Sequence, residues 1–131
     1  MHEPMLFYTA VPVLLGGCSR DAGRMAAMLY TRHGVTLRWF GQGWHPLVSI
    51  YAARYPLSVP LSEDHDPTWL RLLLDFAKAQ KPVGGILCLI PGSAEASAFL
   101  ARIGNSLDAY YVILESPGRG EDPLYGLVHS H

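Results

Sequence analysis

Apolar positions along this chain change repeatedly between the spacing of a strand and the spacing of a helix. Residues 12–15 form a short apolar run, which predicts a buried strand with Pro12 at its first position. From Asp21 onward, apolar residues recur at helical spacing until Gly34, a typical residue for a helix end. Residues 35–40 are rich in branched and aromatic side chains and predict a second strand, which completes a βαβ unit.

The middle of the chain predicts a loop, a short strand and a long helix. Residues 41–46 predict the loop, and the prolines within residues 49–61 limit any strand there to a short one near a sheet edge. The pair Asp66-Pro67 is a typical helix start, and we expect the carboxylate to accept hydrogen bonds from the first amides of that helix. Lys81-Pro82 ends the helix. Its predicted buried face consists of Trp69, Leu72, Leu73, Phe76 and Ala77.

The last third of the chain repeats the alternation. Residues 85–90 are apolar on both faces, which is typical of a central strand in a parallel sheet, and we expect them beside the first strand. Ser93 is the predicted N-cap of a helix that extends to Asn105. Residues 110–114 predict the final strand.

The order of these segments predicts the fold class and a single domain. Because strands and helices alternate, we predict an α/β three-layer sandwich with a Rossmann-like, mostly parallel sheet of about five strands. We expect one domain over residues 1–131, with its core in residues 10–115. Residues 116–131 form a tail that is either disordered or a docking segment. Half of the residues are hydrophobic and 16% are charged, which is typical of a globular domain.

Charge and apolar run length limit the partners and the location of the protein. The net charge is −1 and the basic residues are scattered, which argues against a nucleic-acid partner. No apolar run approaches the roughly 20 residues needed to cross a membrane. The segment before Cys18 resembles a lipoprotein signal, but Glu3 stands where such a signal needs positive charge, and a helical pattern follows at once. We therefore expect a cytoplasmic protein, with Cys88 as a buried, reduced thiol.

Two strand-to-helix turns form the predicted ligand site. Ligands of open parallel sheets bind where the strand order reverses, so we expect a ligand over the carboxyl ends of the first and fourth strands. We assign no catalytic residue and no metal ligand. The predicted ligand-binding residues are Gly16, Gly17, Cys18, Ser19, Arg20, Asp21, Pro91, Gly92, Ser93 and Glu95.

Two chemical alternatives use the first of these turns. A nucleotide-binding Rossmann protein needs the G-x-G-x-x-G pattern and a carboxylate after the second strand; the turn departs from that pattern, and residues 38–41 have no carboxylate. A small α/β enzyme is the other alternative, because Cys18 and Arg24 have the C-x5-R spacing of tyrosine phosphatases and arsenate reductases. Asp21 and Met25 depart from that motif, so a tight turn with an ordinary loop thiol is the favoured interpretation.

Other residues with reactive or aromatic side chains favour structural roles. The histidines do not share metal-ligand spacing, apart from His129 and His131 at the end of the chain. Residues 63–66 are a polar run that we expect to face water and to cap a helix. The aromatic residues Trp39 and Trp44 can line a pocket together with their neighbours, but core packing is the default for such residues.

Four short motifs follow one another along the chain. They are Pro-Val-Leu-Leu-Gly-Gly from residue 12, Ala-Gly-Arg-Met-Ala from residue 22, Tyr-Thr-Arg-His-Gly from residue 30 and Leu-Asp-Ala-Tyr-Tyr-Val from residue 107. In this order they resemble the N-terminal domain of ATP-grasp carboxylate-amine ligases, particularly the D-aspartate-ligase-like group. The resemblance covers about residues 10–115.

The resemblance implies a pre-ATP-grasp domain, which contributes turns to the carboxylate or amine substrate site of such a ligase. In this chain those turns are residues 16–21 and 91–95. ATP and magnesium would be bound by domains outside this chain, so the resemblance implies no cofactor here and no catalysis by this chain alone. It implies a ligand-binding or docking module, with a small carboxylate or amino acid as ligand and an ATP-grasp domain or subunit as partner. Self-association into a homo-oligomer through the tail is a third alternative.

Overall fold

Strands and helices alternate throughout the computed structural model, which describes residues 10–56 and 59–114. The tail predicted for residues 116–131 lies outside the described residues. Single 3-10 turns occur at Glu63–His65 and Gly104–Ser106. The main elements in chain order are β1 (Ala10–Leu15), α1 (Ser19–His33), β2 (Leu37–Phe40), α2 (Pro46–Tyr51), β3 (Ala52–Tyr55), α3 (Asp66–Gln80), β4 (Ile86–Pro91), α4 (Ala94–Ile103) and β5 (Val112–Ile113).

The five strands form one parallel sheet in the order β3-β2-β1-β4-β5. This arrangement confirms the predicted α/β class and places β1 at the centre of the sheet. The chain moves outward from β1 to β3, returns to the other side of β1 as β4, and then moves outward again. The strand order therefore reverses between β1 and β4, whose carboxyl ends are neighbours.

Helices cover both faces of the sheet, so the domain has the three layers that were predicted. Alternate residues of β1 contribute to opposite cores, as expected for a strand that is buried on both faces. None of the described helices is long and apolar enough to cross a membrane. One core joins α1 and α2 to the sheet through Leu14, Ala26, Leu29, Trp39, Val48 and Ile90, and the other joins α3 and α4 to it through Val13, Leu15, Trp69, Leu73, Leu89 and Phe99.

The prediction that Pro12 begins a strand is wrong, because Pro12 is the third residue of β1. It lies beside Cys88 of β4, while the pairing of β1 with β2 begins only at Val13 and Arg38. Pro12 therefore lies just before the β1–β2 ladder. Within that ladder a residue has to donate its backbone N–H, which proline lacks. The Thr36 carbonyl just before β2 accepts a hydrogen bond from Arg38 Nη1 at 2.6 Å. A side chain thus satisfies a backbone acceptor at the start of β2.

Helix α2 was not predicted, because its residues were divided between a loop and an edge strand. Its start is nevertheless well formed: Pro46 occupies the first turn, and His45 Nδ1 accepts a hydrogen bond from the Leu47 N–H at 3.1 Å. A helix of six residues is too short to show an apolar period. The short edge strand itself is confirmed as β3.

Helix α3 begins and ends as predicted, but Asp66 does not cap it. The Asp66 carboxylate instead accepts two hydrogen bonds from Arg102, at 2.6 and 2.7 Å, which join the start of α3 to the end of α4. The guanidinium group of Arg102 donates two charge-assisted hydrogen bonds, which are stronger than the bonds that the backbone amides of α3 could donate to this carboxylate. Leu72 is exposed, although it was predicted on the buried face of α3.

Most remaining predicted ends differ from the structure by one or two residues: α1 begins at Ser19 rather than Asp21, and β2 begins at Leu37 rather than at residue 35. Ser93 caps α4 by accepting a hydrogen bond from the Ala96 N–H at 3.1 Å, and Gly34 ends α1 with a φ of 67°. The final strand is shorter than predicted, since β5 contains only two residues.

Candidate functional site

The two predicted turns lie side by side at the carboxyl edge of the sheet. Leu15 and Pro91, the last residues of β1 and β4, are paired in register. The Gly92 N–H donates to the Leu15 carbonyl at 2.8 Å, so the ladder continues one step into the turns. The turns that follow these strands are therefore held against each other by backbone hydrogen bonding.

Glycines allow the two turns to touch through their backbones. A Cβ atom on Gly17 would lie 2.8 Å from the Gly92 carbonyl oxygen, and Gly17 has a φ of +85°, which side chains rarely adopt. A Cβ atom on Gly92 would lie 2.8 Å from the Gly16 carbonyl oxygen. In dinucleotide-binding sheets, a glycine at this place lets the backbone approach a pyrophosphate. Here the glycines let one turn approach the other.

The peptide groups of Gly16 are used inside the protein. The Gly16 N–H donates to the Phe40 carbonyl at 2.9 Å, and the Gly16 carbonyl accepts from Trp39 Nε1 at 2.9 Å. Trp39 is fully buried, and a Cβ atom on Gly41 would lie 2.5 Å from its Nε1 atom. Trp39 of β2 and Gly41 of the following turn therefore fix the conformation of the first turn, and both the N–H and the carbonyl of Gly16 already have partners inside the protein.

A groove of about 590 Å³ opens beside the two turns. We call it the carboxyl-edge groove. Of the predicted residues, Ser19, Arg20 and Pro91 do not line it; Arg20 is exposed on α1, and Pro91 is buried at the end of β4. The predicted residues that line it are Gly16, Gly17, Cys18, Asp21, Gly92, Ser93 and Glu95. Sequence reasoning missed the lining residues Gly41, Gln42, Val59, Pro60, Leu61 and Trp69.

Four of the missed residues, Val59, Pro60, Leu61 and Trp69, form a wall that is attached to α3, whereas Gly41 and Gln42 follow β2. Trp69 is only 2% exposed, and its Nε1 atom donates to the Pro60 carbonyl at 3.0 Å. Hydrogen bonds from Arg102 hold the pKa of Asp66 below its ordinary value, and the same hydrogen bonds raise the pKa of Arg102. The ion pair thus joins the start of α3, which carries Trp69, to α4. The sequence signal for this wall is the indole N–H of Trp69, because a buried tryptophan needs a hydrogen-bond acceptor.

The charged side chains that line the carboxyl-edge groove are acidic. Asp21 and Glu95 lie in the first turns of α1 and α4, and both are exposed. No lysine or arginine of the described residues lines this groove. Cys18 precedes α1 without a capping hydrogen bond from its side chain, whereas Ser93 caps α4. The groove therefore offers two carboxylates for an ammonium group, and the N-terminus of α1, which begins beside the lining residue Cys18, is the end of a helix dipole that favours an anion.

The C-x5-R pair does not form an anion-binding loop. Helix α1 already begins at Ser19, and the Ala22 N–H donates to the Cys18 carbonyl at 3.0 Å rather than pointing into a cradle. Arg24 is exposed and does not line the groove. Within residues 10–56 and 59–114, no group of three histidine, cysteine, aspartate or glutamate side chains is arranged to hold a metal ion.

Three further residues from the sequence analysis, Trp44, Cys18 and Cys88, have clear positions. Trp44 is 62% exposed and lies outside the groove lining, so the core packing expected of it is wrong. Lipoprotein processing before Cys18 would remove β1, the central strand of the sheet. Cys18 and Cys88 are both free thiols, and burial raises the pKa of Cys88 to about 11.

The fold and the groove define a class of protein: an all-parallel α/β domain with a cleft where its strand order reverses. Comparison with protein-family profiles, with the sequences of characterised proteins and with solved structures finds no match to this chain. The structure alone therefore shows the fold class, and the carboxyl-edge groove is the feature that bears on function.

Proposed function

We propose that this chain is a non-catalytic ligand-binding or docking module, similar to the pre-ATP-grasp domain of a carboxylate-amine ligase. The observation that best supports this proposal is the carboxyl-edge groove, which lies where the strand order reverses and is lined by both predicted turns. ATP and magnesium would be bound by a partner domain or subunit that covers the same edge. Two free cysteines fit a reducing cytoplasm.

The lining of the groove favours an amino acid or another small carboxylate that also carries an ammonium group. Asp21 and Glu95 suit the ammonium group. The N-terminus of α1 begins beside the lining residue Cys18, and its helix dipole favours the carboxylate. Leu61 and Trp69 supply apolar surface for the remainder of such a ligand. A dicarboxylate without an ammonium group would meet two carboxylates and no cationic side chain.

Tryptophan indole signals in a ¹⁵N NMR spectrum test this proposal. The chain has three tryptophans: Trp69 lines the groove, Trp39 holds Gly16, and Trp44 lies outside the lining. Titration with amino acids should shift the Trp69 signal in a saturable way, shift that of Trp39 less, and leave that of Trp44 unchanged. A ligand at 100 times its dissociation constant should also stabilise the protein by about 2.7 kcal/mol in thermal unfolding.

Matched variants separate the groove from the general charge of the surface. Asp21→Asn and Glu95→Gln should each weaken amino-acid binding about threefold to fivefold, whereas Asp64→Asn, which removes an exposed carboxylate outside the groove, should not. A response only to ATP or NAD would support the nucleotide-binding alternative instead. If no amino acid or other small carboxylate shifts Trp69, the ligand-binding part of the proposal is wrong.

A further inference from the structure

A second groove, of about 440 Å³, opens at the opposite edge of the sheet. We call it the amino-edge groove, because it lies at the amino end of β4 and the end of α3. Its other wall is the segment just before β5, including Tyr110. None of its lining residues belongs to the carboxyl-edge groove.

Both lysines of the whole chain line the amino-edge groove. They are Lys78 in the last turn of α3 and Lys81 immediately after that helix, three residues apart, so they project from the same side of the helix end. Among the residues that the structure describes, no carboxylate lines this groove; Asp108 is near in sequence but does not line it. The charged side chains of this groove are therefore cationic.

The same groove has an apolar floor. Ala77 and Leu87 are buried and line the groove, and the Tyr110 ring, 44% exposed, lies at its rim. Lysines near the end of a helix also interact favourably with the helix dipole. That interaction explains cations at the end of α3, but it does not explain an open cavity with buried apolar side chains at its base.

A hydrogen-bonded turn forms one wall of the groove. The Gly84 N–H donates to the Gln80 carbonyl at 3.0 Å, and Gln80 Nε2 donates to the Gly84 carbonyl at 3.2 Å. Gly84 and Gly85 have φ values of 88° and 104°, which let the chain turn from α3 into β4 without a side chain filling the space. The groove is thus preformed, and a ligand need not order the turn in order to bind.

We infer that the amino-edge groove binds a small organic anion: a carboxylate or phosphate head group, bound by Lys78 and Lys81, on an apolar or aromatic body that covers the floor. This site is separate from the carboxyl-edge groove, and its existence does not depend on the function proposed there. The head group requires the ammonium groups, and the body requires Ala77, Leu87 and the Tyr110 ring.

Reductive ¹³C-methylation makes this proposal directly testable, because it labels only two lysines and the terminal amine while keeping their charge. The probes are phenyl phosphate, benzoate, inorganic phosphate and benzyl alcohol. Both lysine signals should shift in a saturable way with phenyl phosphate or benzoate, more weakly with inorganic phosphate, and not with benzyl alcohol. The preferred head group identifies the ligand as a phosphate ester or a carboxylate.

Variants of the unmethylated protein assign the effect to the groove, with the Gly84 and Gly85 amides as NMR reporters. Lys78→Gln and Lys81→Gln should each weaken binding of phenyl phosphate about threefold to fivefold. Arg71→Gln is the matched control, because Arg71 is an exposed cation of the same helix that does not line the groove. All three positions are exposed, so folding should be preserved.

Two results would overturn the proposal. The first is a lysine response that does not saturate and is equal for chloride and phenyl phosphate, since that would be a general salt effect. The second is a loss of affinity in Arg71→Gln equal to the loss in the lysine variants. Equal affinity for inorganic and phenyl phosphate would contradict the role of the apolar floor.

Discussion

The two grooves lie at opposite edges of one sheet and have opposite charge. The carboxyl-edge groove is lined by Asp21 and Glu95, and the amino-edge groove by Lys78 and Lys81. A parallel sheet explains this difference: each connecting helix begins at the carboxyl edge and returns to the amino edge. Acidic residues are favourable in first turns and basic residues in last turns, so helix stability alone gives the edges opposite charge. A ligand site at the carboxyl edge is therefore expected to be acidic, and a ligand site at the amino edge is expected to be basic.

The backbone also differs between the two edges. At the carboxyl edge, Gly17 and Gly92 press two turns together, and the cavity is displaced toward α3 and the segment after β3. At the amino edge, a Cβ atom on Gly84 would meet nothing within 4 Å. Glycine therefore serves close packing at one edge and only a change of chain direction at the other.

The largest expected effect is the difference in reactivity between the two thiols, because Cys18 is a natural probe of the carboxyl-edge groove. Cys18 is exposed there, whereas Cys88 is fully buried in β4 and burial raises its pKa to about 11. With a chromogenic disulfide reagent at pH 8, Cys88 should react at least about 10³-fold more slowly, since it must await opening of the core.

Adding a ligand of either groove shows whether the reactivity of Cys18 reports on the carboxyl-edge groove. A groove-bound amino acid should slow the reaction of Cys18, and phenyl phosphate at the amino edge should leave it unchanged. Cys18→Ser is the control that isolates the signal of Cys88. Equal rates for the two thiols in the native protein would contradict the burial of Cys88 in β4.

Alanine substitution of matched glycines should produce the next largest effect. Gly17→Ala combines the unfavourable φ with a contact of 2.8 Å to a backbone oxygen, and it should lower the free energy of unfolding by about 3 kcal/mol. Gly84→Ala has a similar φ but open space, and it should lower it by only about 1 kcal/mol. Urea unfolding measures both values. Equal losses would show that the two turns are not pressed together.

The smallest expected effect is that of acid on the melting temperature. It acts through the ion pair between Asp66 and Arg102, which joins the start of α3 to α4 beside the carboxyl-edge groove. The Arg102 hydrogen bonds lower the pKa of Asp66, so the ionised carboxylate is favoured in the folded state. Its contribution is complete above the unfolded pKa of about 3.9 and is lost as pH falls through the lower folded-state pKa. Asp66→Asn should therefore melt at a lower temperature than the parent at pH 7, and this difference should narrow as the pH falls below the unfolded-state pKa of about 3.9.

The control for the acid measurement is Asp75→Asn. The Asp75 carboxylate lies 3.9 Å from Arg71 Nε, and both side chains are largely exposed, so this variant should melt like the parent at every pH. If the difference in melting temperature between Asp66→Asn and the parent does not change with pH, the effect of this substitution is due to packing rather than to charge.

Local signals predicted most of the secondary structure. Gly34 and Ser93 mark helix ends whose hydrogen bonds involve residues at most four apart, so the sequence pattern contains them. Helix α2 escaped prediction because six residues are too few for a period, and the Asp66 cap was wrong because a distant arginine competes for its carboxylate. Local reasoning has no access to such a competitor.

The candidate site was predicted only in part, for the same reason. The two turns follow strands that were recognisable by their apolar runs, and the rule for reversed strand order brought them together. The wall containing Trp69 was missed, because the buried indole N–H indicates that an acceptor is needed but not which carbonyl supplies it. The hydrogen bond from Trp69 to Pro60 becomes evident only when the folded chain places them together.

The sequence by itself determined the alternation of strands and helices, the α/β class and the two turns, because these depend on side-chain periods and on hydrogen bonds between near neighbours. The tertiary structure alone decided where open space remains. Gly16 receives the indole of Trp39 across 23 residues, and Asp66 meets Arg102 across 36. Contacts over such separations determine which turns close against each other and which form grooves, and hence where a ligand can bind.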